Sequence, residues 1–162
     1  MDPQPSDTLA REHLALLLRT SGLLNSLLDI QEILDTLMAQ AIEVLGAERG
    51  FVLLRPEDNQ EWQFRSASAL DDQMMAEDEF RISRGIVDRV ASEGQSITTS
   101  DAQQDQRFRQ HASVGLYNLR SICCVPLIVS GRVLGVLYVD HRLHTGAFDR
   151  HTQSMLEALA SQ

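Results

Sequence analysis

Two cysteines stand side by side at Cys123-Cys124, and they are the only thiols among 162 residues. Thiol chemistry needs an accessible, low-pKa cysteine with a resolving partner in reach. Neighbours in a strand point to opposite faces, so this pair cannot close an internal disulfide without severe distortion. Two readings follow: a redox or metal switch, or two small hydrophobes in a buried strand of a reducing compartment. The five histidines (His13, His111, His141, His144 and His151) form no i, i+4 pair on one helix and no His-Glu cluster of ligand spacing. No Ser-His-Asp order, phosphate loop or paired-carboxylate motif stands out. The chain therefore offers little for catalysis and directs attention to binding.

The elements that would position such groups centre on Leu119–Asp140. Two apolar runs rich in β-branched residues flank Ser130-Gly131, a two-residue hairpin connection. The second run, Val133–Val139, does not alternate with polar residues, so it must be covered on both faces at the centre of a sheet. Pro126 lacks an N–H and makes the first run bulged or edge-like.

Upstream, residues 1–6 read as a disordered start. Asp7 caps a helix over residues 7–28 with apolar positions Leu9, Leu16, Leu17, Leu24, Leu27 and Leu28. Asp29 with Glu32 opens a second helix, with the stripe Ile30, Ile33, Leu34, Leu37, Met38, Ala41, Ile42 and Leu45 and with Gly46 as terminator. Phe51–Leu54 reads as a buried strand, and the alternating Trp62, Phe64, Ser66 and Ser68 as its half-buried partner. Asp71–Glu79, acidic and Met-rich, reads as a mobile loop. A short helix is expected from the cap residue Ser83 to Gly94, then a strand over Gln95–Thr99 and a further short helix within Asp105–Asn118. Asp149 caps a last helix with Met155, Leu156 and Leu159, which reaches Gln162 without a stop signal. Hairpin-linked strands with helices grouped at both ends indicate an α+β fold.

Net charge is −9, from 23 acidic and 14 basic residues. Such a surface repels phosphate backbones and anionic membranes, which argues against nucleic-acid and membrane partners. The opening Met-Asp-Pro-Gln-Pro-Ser-Asp has neither the basic region nor the apolar core of a signal peptide, and the expected location is cytoplasmic.

The hairpin with its Arg120-Ser121 opening, Val125-Pro126-Leu127 and Gly135-Val-Leu-Tyr-Val-Asp140 resembles the C-terminal strand pair of a GAF domain. So do Ala47-Glu48-Arg49-Gly50-Phe51-Val52-Leu53-Leu54, Ser83-Arg84-Gly85-Ile86-Val87, Gly94, Asp101-Ala102 and Arg107-Phe108, in the same order. The likeness covers roughly Leu23–Gln162 and is greatest to bacterial GAF domains that precede adenylate cyclases, phosphatases, histidine kinases or transcription activators. The resemblance implies a GAF/PAS-like central antiparallel sheet, with N- and C-terminal helices on one face and short helices and loops forming a ligand pocket on the other. The GAF domain would span 29–162. It also implies a regulatory, non-enzymatic sensor of a small ligand, with pocket residues Leu54, Phe64, Gly85, Ile86, Val87 and Arg109. Ser83 and Gly85 would present unsatisfied N–H groups at a helix start, a setting that favours anionic groups.

The cyclic-nucleotide-binding branch carries Asn-Lys, then Phe, then Asp-Glu; here those positions read Asp140-His141, Phe148 and Thr152-Gln153. Only the phenylalanine is kept, which counts against cyclic AMP or GMP as ligand. The loop around His111 has no cysteine for a bilin, and the histidine spacing counts against haem. The alternatives are a thiol enzyme like the GAF-type free methionine sulfoxide reductases, and a ligand-free dimerisation scaffold. The leucine-rich stripes of the terminal helices exceed what one covered sheet face needs, so a homodimer through them is expected. The last helix, which lacks a stop signal, is expected to be truncated and to run into a C-terminal effector domain.

Overall fold

The computed structural model describes residues 29–57, 61–68, 77–110 and 118–161, with side chains of 77–83 and of Ser68 excepted. The first expected helix, residues 7–28, lies outside the described residues, as do the disordered start, Asp71–Ala76 and residues 111–117. Residues 34–162 form one unit.

Its sheet has five antiparallel strands in the order β2-β1-β5-β4-β3. They are β1 (Arg49–Leu54), β2 (Gln63–Ser68), β3 (Ile97–Thr99), β4 (Ser121–Val129) and β5 (Arg132–His141). The unbroken apolar run becomes β5, the central strand, and Val136 to Asp140 are fully buried. Ser130 and Gly131 both take positive φ, +51° and +77°, as a two-residue hairpin turn requires. Pro126 lies opposite Val136, and the pairing shifts between Leu127 and Ile128, where Leu134 of β5 is the extra bulge residue. β3 pairs only with Ile122–Cys124, so Pro126 falls on a stretch of β4 where the missing N–H breaks no second ladder.

Among the described residues, the helices that cover the sheet are α1 (29–45), α2 (Glu77–Glu93) and α3 (Arg150–Ala160). In α1, Leu34, Met38, Ala41 and Leu45 recur at helical spacing and are buried. They meet Val52, Cys123, Val125, Leu137, Val139 and Leu156 of α3 in one core. The expected α1 stripe is too wide: Ile30 and Ile33 are exposed. Asp29 is already helical, so it is not the cap the sequence suggested. Asp149 does cap α3, its side chain accepting from Thr152 N at 2.9 Å in a reciprocal box. The helical hydrogen bonding of α3 stops at Ala160, with Ser161 as C-cap. The second core, on the other face, joins Ile86, Val87, Val90 and Ala91 of α2 to Phe51, Leu53, Ile97, Phe108, Ile122, Cys124, Val136 and Tyr138. Terminal helices on one face and α2 with loops on the other is the expected α+β layering.

Two local expectations fail. α2 starts at Glu77, so Glu77–Glu79 is helix and Ser83 lies within it. The short helix expected within Asp105–Asn118 falls partly on residues 111–117, outside the described residues, and residues 101–110 form hydrogen-bonded turns, such as Arg109 N to Asp105 O at 2.8 Å. In β2, Val52 pairs with Ser66 but Leu53 pairs with Phe64, so Arg65 is an extra bulge residue. The bulge puts Phe64 and Ser66 on opposite faces, where simple alternation would have put them on one. Phe64 packs on the α2-side core, whereas Ser66 donates to Asp35 of α1 at 2.6 Å.

Candidate functional site on the α2 face

The two faces of the sheet differ in chemistry. On the α2 face, Phe51 stacks on Tyr138 (centroids 4.4 Å apart, planes 11° apart) and meets Phe64 edge-on at 5.5 Å. Arg49 lies opposite Asp140 in the β1–β5 register, on the same face by alternation. Its guanidinium grips both carboxylate oxygens, Nε to Oδ1 at 2.7 Å and Nη2 to Oδ2 at 2.8 Å. The Tyr138 hydroxyl donates to Oδ2 at 3.0 Å. Asp140 is 0% and Arg49 5% exposed. Burial pushes the Asp140 carboxyl up, against the pull of Arg49 and Tyr138. Such a pair is costly to strip from water, and cheaper to keep than to break.

At the rim, Trp62, the only tryptophan, donates from Nε1 to Asp88 Oδ1 of α2 at 2.7 Å, with Arg55 stacked over its ring at 5.0 Å. Arg107 lies over Phe108 at 4.9 Å and donates to Asp105 and to Thr98 O. Those hydrogen bonds hold the Asp105 carboxyl down at about 2. Beyond the end of β5, burial raises the Glu48 carboxyl but the bonds from Arg142 outweigh it, Nε to Oε1 and backbone N to Oε2, both at 2.8 Å.

Of the residues expected to line a pocket, the fold brings together Phe64, Ile86 and Val87 in the α2-side core. Leu54 packs into the opposite core with the terminal helices, because it is one residue out of phase with Phe51 and Leu53. Gly85 and Arg109 are exposed. Ser83 and Gly85 are not a helix start: with α2 beginning at Glu77, their N–H groups fall in the helix interior and offer no anion cradle. Cys123 and Cys124 are both free and buried, and they sit in different cores. Burial pushes the Cys123 thiol up to about 11 and raises Cys124 well above its ordinary value. That is the reverse of what a thiol nucleophile needs. His141 and His144 approach edge to face at 4.5 Å, but among the described residues no group of three or more His, Cys, Asp or Glu is placed to hold a metal ion.

Sequence reasoning passed over Arg49, Tyr138 and Asp140. The sequence shows an arginine opening one apolar strand and an aspartate closing another, with Tyr138 two residues before it on the same face, but only the β1–β5 register pairs them.

The GAF domain family model matches residues 29–162. The chain belongs to the GAF domain family. A 79-residue stretch is 38% identical to the dual 3',5'-cyclic-AMP and -GMP phosphodiesterase 11A of Takifugu rubripes, covering 48% of this chain and 9% of that protein. An 82-residue stretch is 33% identical to the probable 3',5'-cyclic phosphodiesterase pde-5 of Caenorhabditis elegans, covering 50% of this chain and 11% of that protein. The matches span about a tenth of those relatives' length. In structure, the chain is similar to the GAF domain/HD domain protein from Geobacter sulfurreducens, with a TM-score of 0.66 at 14% identity over 85% of this chain and 91% of that one. This neighbour shares the GAF fold. None of the described helices is long and apolar enough to cross a membrane.

Proposed function

We propose that this GAF domain is a regulatory sensor. It takes a small ligand against the α2 face, performs no chemistry on it, and relays occupancy through the terminal helices. The observation that carries the reading is the division of the sheet. The α2 face holds an aromatic wall and a buried charge pair under a helix latched at its rim by Trp62–Asp88. The buried core of the opposite face is mainly aliphatic and packs against α1 and α3. Native mass spectrometry after incubation with a total metabolite extract tests it. A discrete small-molecule adduct on the folded domain is expected; a bare protein mass alone would overturn the reading.

The curated relatives, named as cyclic-nucleotide phosphodiesterases, favour a second reading in which the ligand is cyclic AMP or GMP. The local chemistry opposes it. Asp140 is engaged by Arg49, Thr152 by the Asp149 cap, and Gln153 by Thr98. Neither nucleotide should raise the melting temperature; a clear rise with either one would favour the second reading.

Homodimerisation through the terminal helices, relay to an effector domain and a cytoplasmic setting belong to the same proposal. They are supported by the leucine stripe of residues 9–28 and by relatives that carry the matched segment within much longer chains. Placing charge in that stripe with Leu17→Glu and Leu24→Glu should give monomers in sedimentation, and an unchanged dimer would remove the stripe from the interface.

A further inference from the structure

α2 and α3 cover opposite faces of the sheet, and the edge strand β3 touches both. The chain leaves α2 at Glu93 and reaches β3 after three residues, with Gly94 N–H still bonded to Val90 O at 2.9 Å. β3 then divides its side chains between the faces. Ile97 is buried in the α2-side core. Ser96 and Thr98, one residue to either side, turn to the other face and bond to α3. Ser96 Oγ donates to Glu157 Oε1 at 2.6 Å, and Thr98 Oγ1 donates to Gln153 Oε1 at 2.7 Å. Gln153 Nε2 closes the set by donating to Glu157 Oε1 at 2.9 Å. The Cys123 thiol is a more distant alternative acceptor for Thr98, at 3.5 Å.

Next to these bonds the sheet and helix part. An open cleft of about 550 Å³ lies between Gly94, Pro126 and Ile128 on one side and Glu157, Ala160 and Ser161 on the other. The first half of α3 is fixed by the Asp149–Thr152 box, and Leu156 is fully buried. The cleft runs alongside the helix from Gln153 through Glu157 to Ser161, and the side chains of Gln153 and Glu157 bind the helix to β3.

We propose that Ser96, Thr98, Gln153 and Glu157 form a latch that couples the C-terminal end of α2 to the middle of α3. A displacement of α2 is thereby passed around the edge of the sheet through β3, while the close-packed centre stays fixed. The cleft gives the end of α3 room to respond. As a regulatory device the latch rests on the sensor reading, but its existence as a coupling is testable without any ligand. Coupling of this kind has to be shown by perturbation, because adjacency alone does not establish it.

The experiment uses methyl NMR of the whole chain. Val90, fully buried in α2, is changed to Ala to disturb that helix, and the methyl resonances of Met155 and Leu159 are followed. In the otherwise unaltered protein, Val90→Ala should shift both. In a background carrying Thr98→Val and Gln153→Ala, Val90→Ala should still shift the Ile86 and Val87 methyls but leave Met155 and Leu159 in place. Equal α3 shifts in both backgrounds would overturn the latch, as would α3 methyls that fail to respond in either. Should that background not fold, Ser96→Ala with Glu157→Gln breaks the other half of the network and is read the same way. Failure here leaves the sensor reading standing, and failure of the mass-spectrometric test leaves the latch standing.

Discussion

The two faces of this sheet are built from the same five strands, yet one is a conventional seal and the other is not. Toward α1 and α3 the strands present Val52, Val125, Leu137 and Val139, closed by Leu34, Met38 and Leu156. Toward α2 they present three aromatic rings and a fully desolvated carboxylate. Hydrophobic burial explains the centre of the first face, with polar contacts only at its edges, Ser66 to Asp35 and Thr98 to Gln153. It does not explain the second, where a well-packed apolar pair would serve stability as well as Arg49 and Asp140. The difference is the basis of the proposal that the ligand lies on the α2 face.

The largest effect should come from splitting the charge pair. Arg49→Met leaves Asp140 buried and without its guanidinium, and should cost about 3–5 kcal/mol in urea unfolding. Adding Asp140→Leu should recover most of that loss. If the double variant is no more stable than the single one, the pair contributes more than mutual neutralisation, and the contrast between the faces is sharper than drawn here. Gly135 probes the seam shared by both faces. A Cβ there would collide with the Leu53 carbonyl oxygen, so β1 and β5 must separate. Gly135→Ala should cost about 3 kcal/mol.

On the sealed face, Leu137→Ala removes a fully buried side chain and should cost about 2–5 kcal/mol, with the outcome set by how far the core collapses. It should leave the emission of Trp62 unchanged, because that ring reports from the opposite side. A spectral change would mean that the faces are not independent. The smallest effect belongs to the rim. Asp105 titrates at about 2 when folded, below its ordinary 3.8. A depressed carboxylate contributes stability above its unfolded pKa and loses it as pH falls through the folded value. The stability gap between the wild type and Asp105→Asn should therefore be flat above about pH 5 and close as pH approaches 2.

The strand pattern was the most legible part of the sequence, because an apolar run without alternation has few places to go: Val133–Val139 had to be central. The hairpin at Ser130-Gly131 and the Asp149 cap were equally local signals. What misled the reading was also local in cause. The bulge at Arg65 reverses the phase of β2, and nothing in Gln-Phe-Arg-Ser marks an inserted residue. Leu54 was assigned to the wrong face for want of the β1 register. Ser83 looked like a cap because Ser-Arg-Gly is a good helix start, but α2 already runs from Glu77. Of the expected pocket residues, Ile86 and Val87 came from the Ser83–Val87 motif and Phe64 from the first two strands, whereas Arg49 and Asp140 are 91 residues apart and become neighbours only through strand pairing.

The central claim is that the α2 face is the one that takes a ligand. Hydrogen exchange followed by mass spectrometry, with and without a metabolite extract, tests it most directly. The account predicts slowed exchange first in residues 84–93 of α2 and in β1 and β5, with α1 changing less. Protection confined to α1 and α3, or no difference anywhere in the chain, would contradict it.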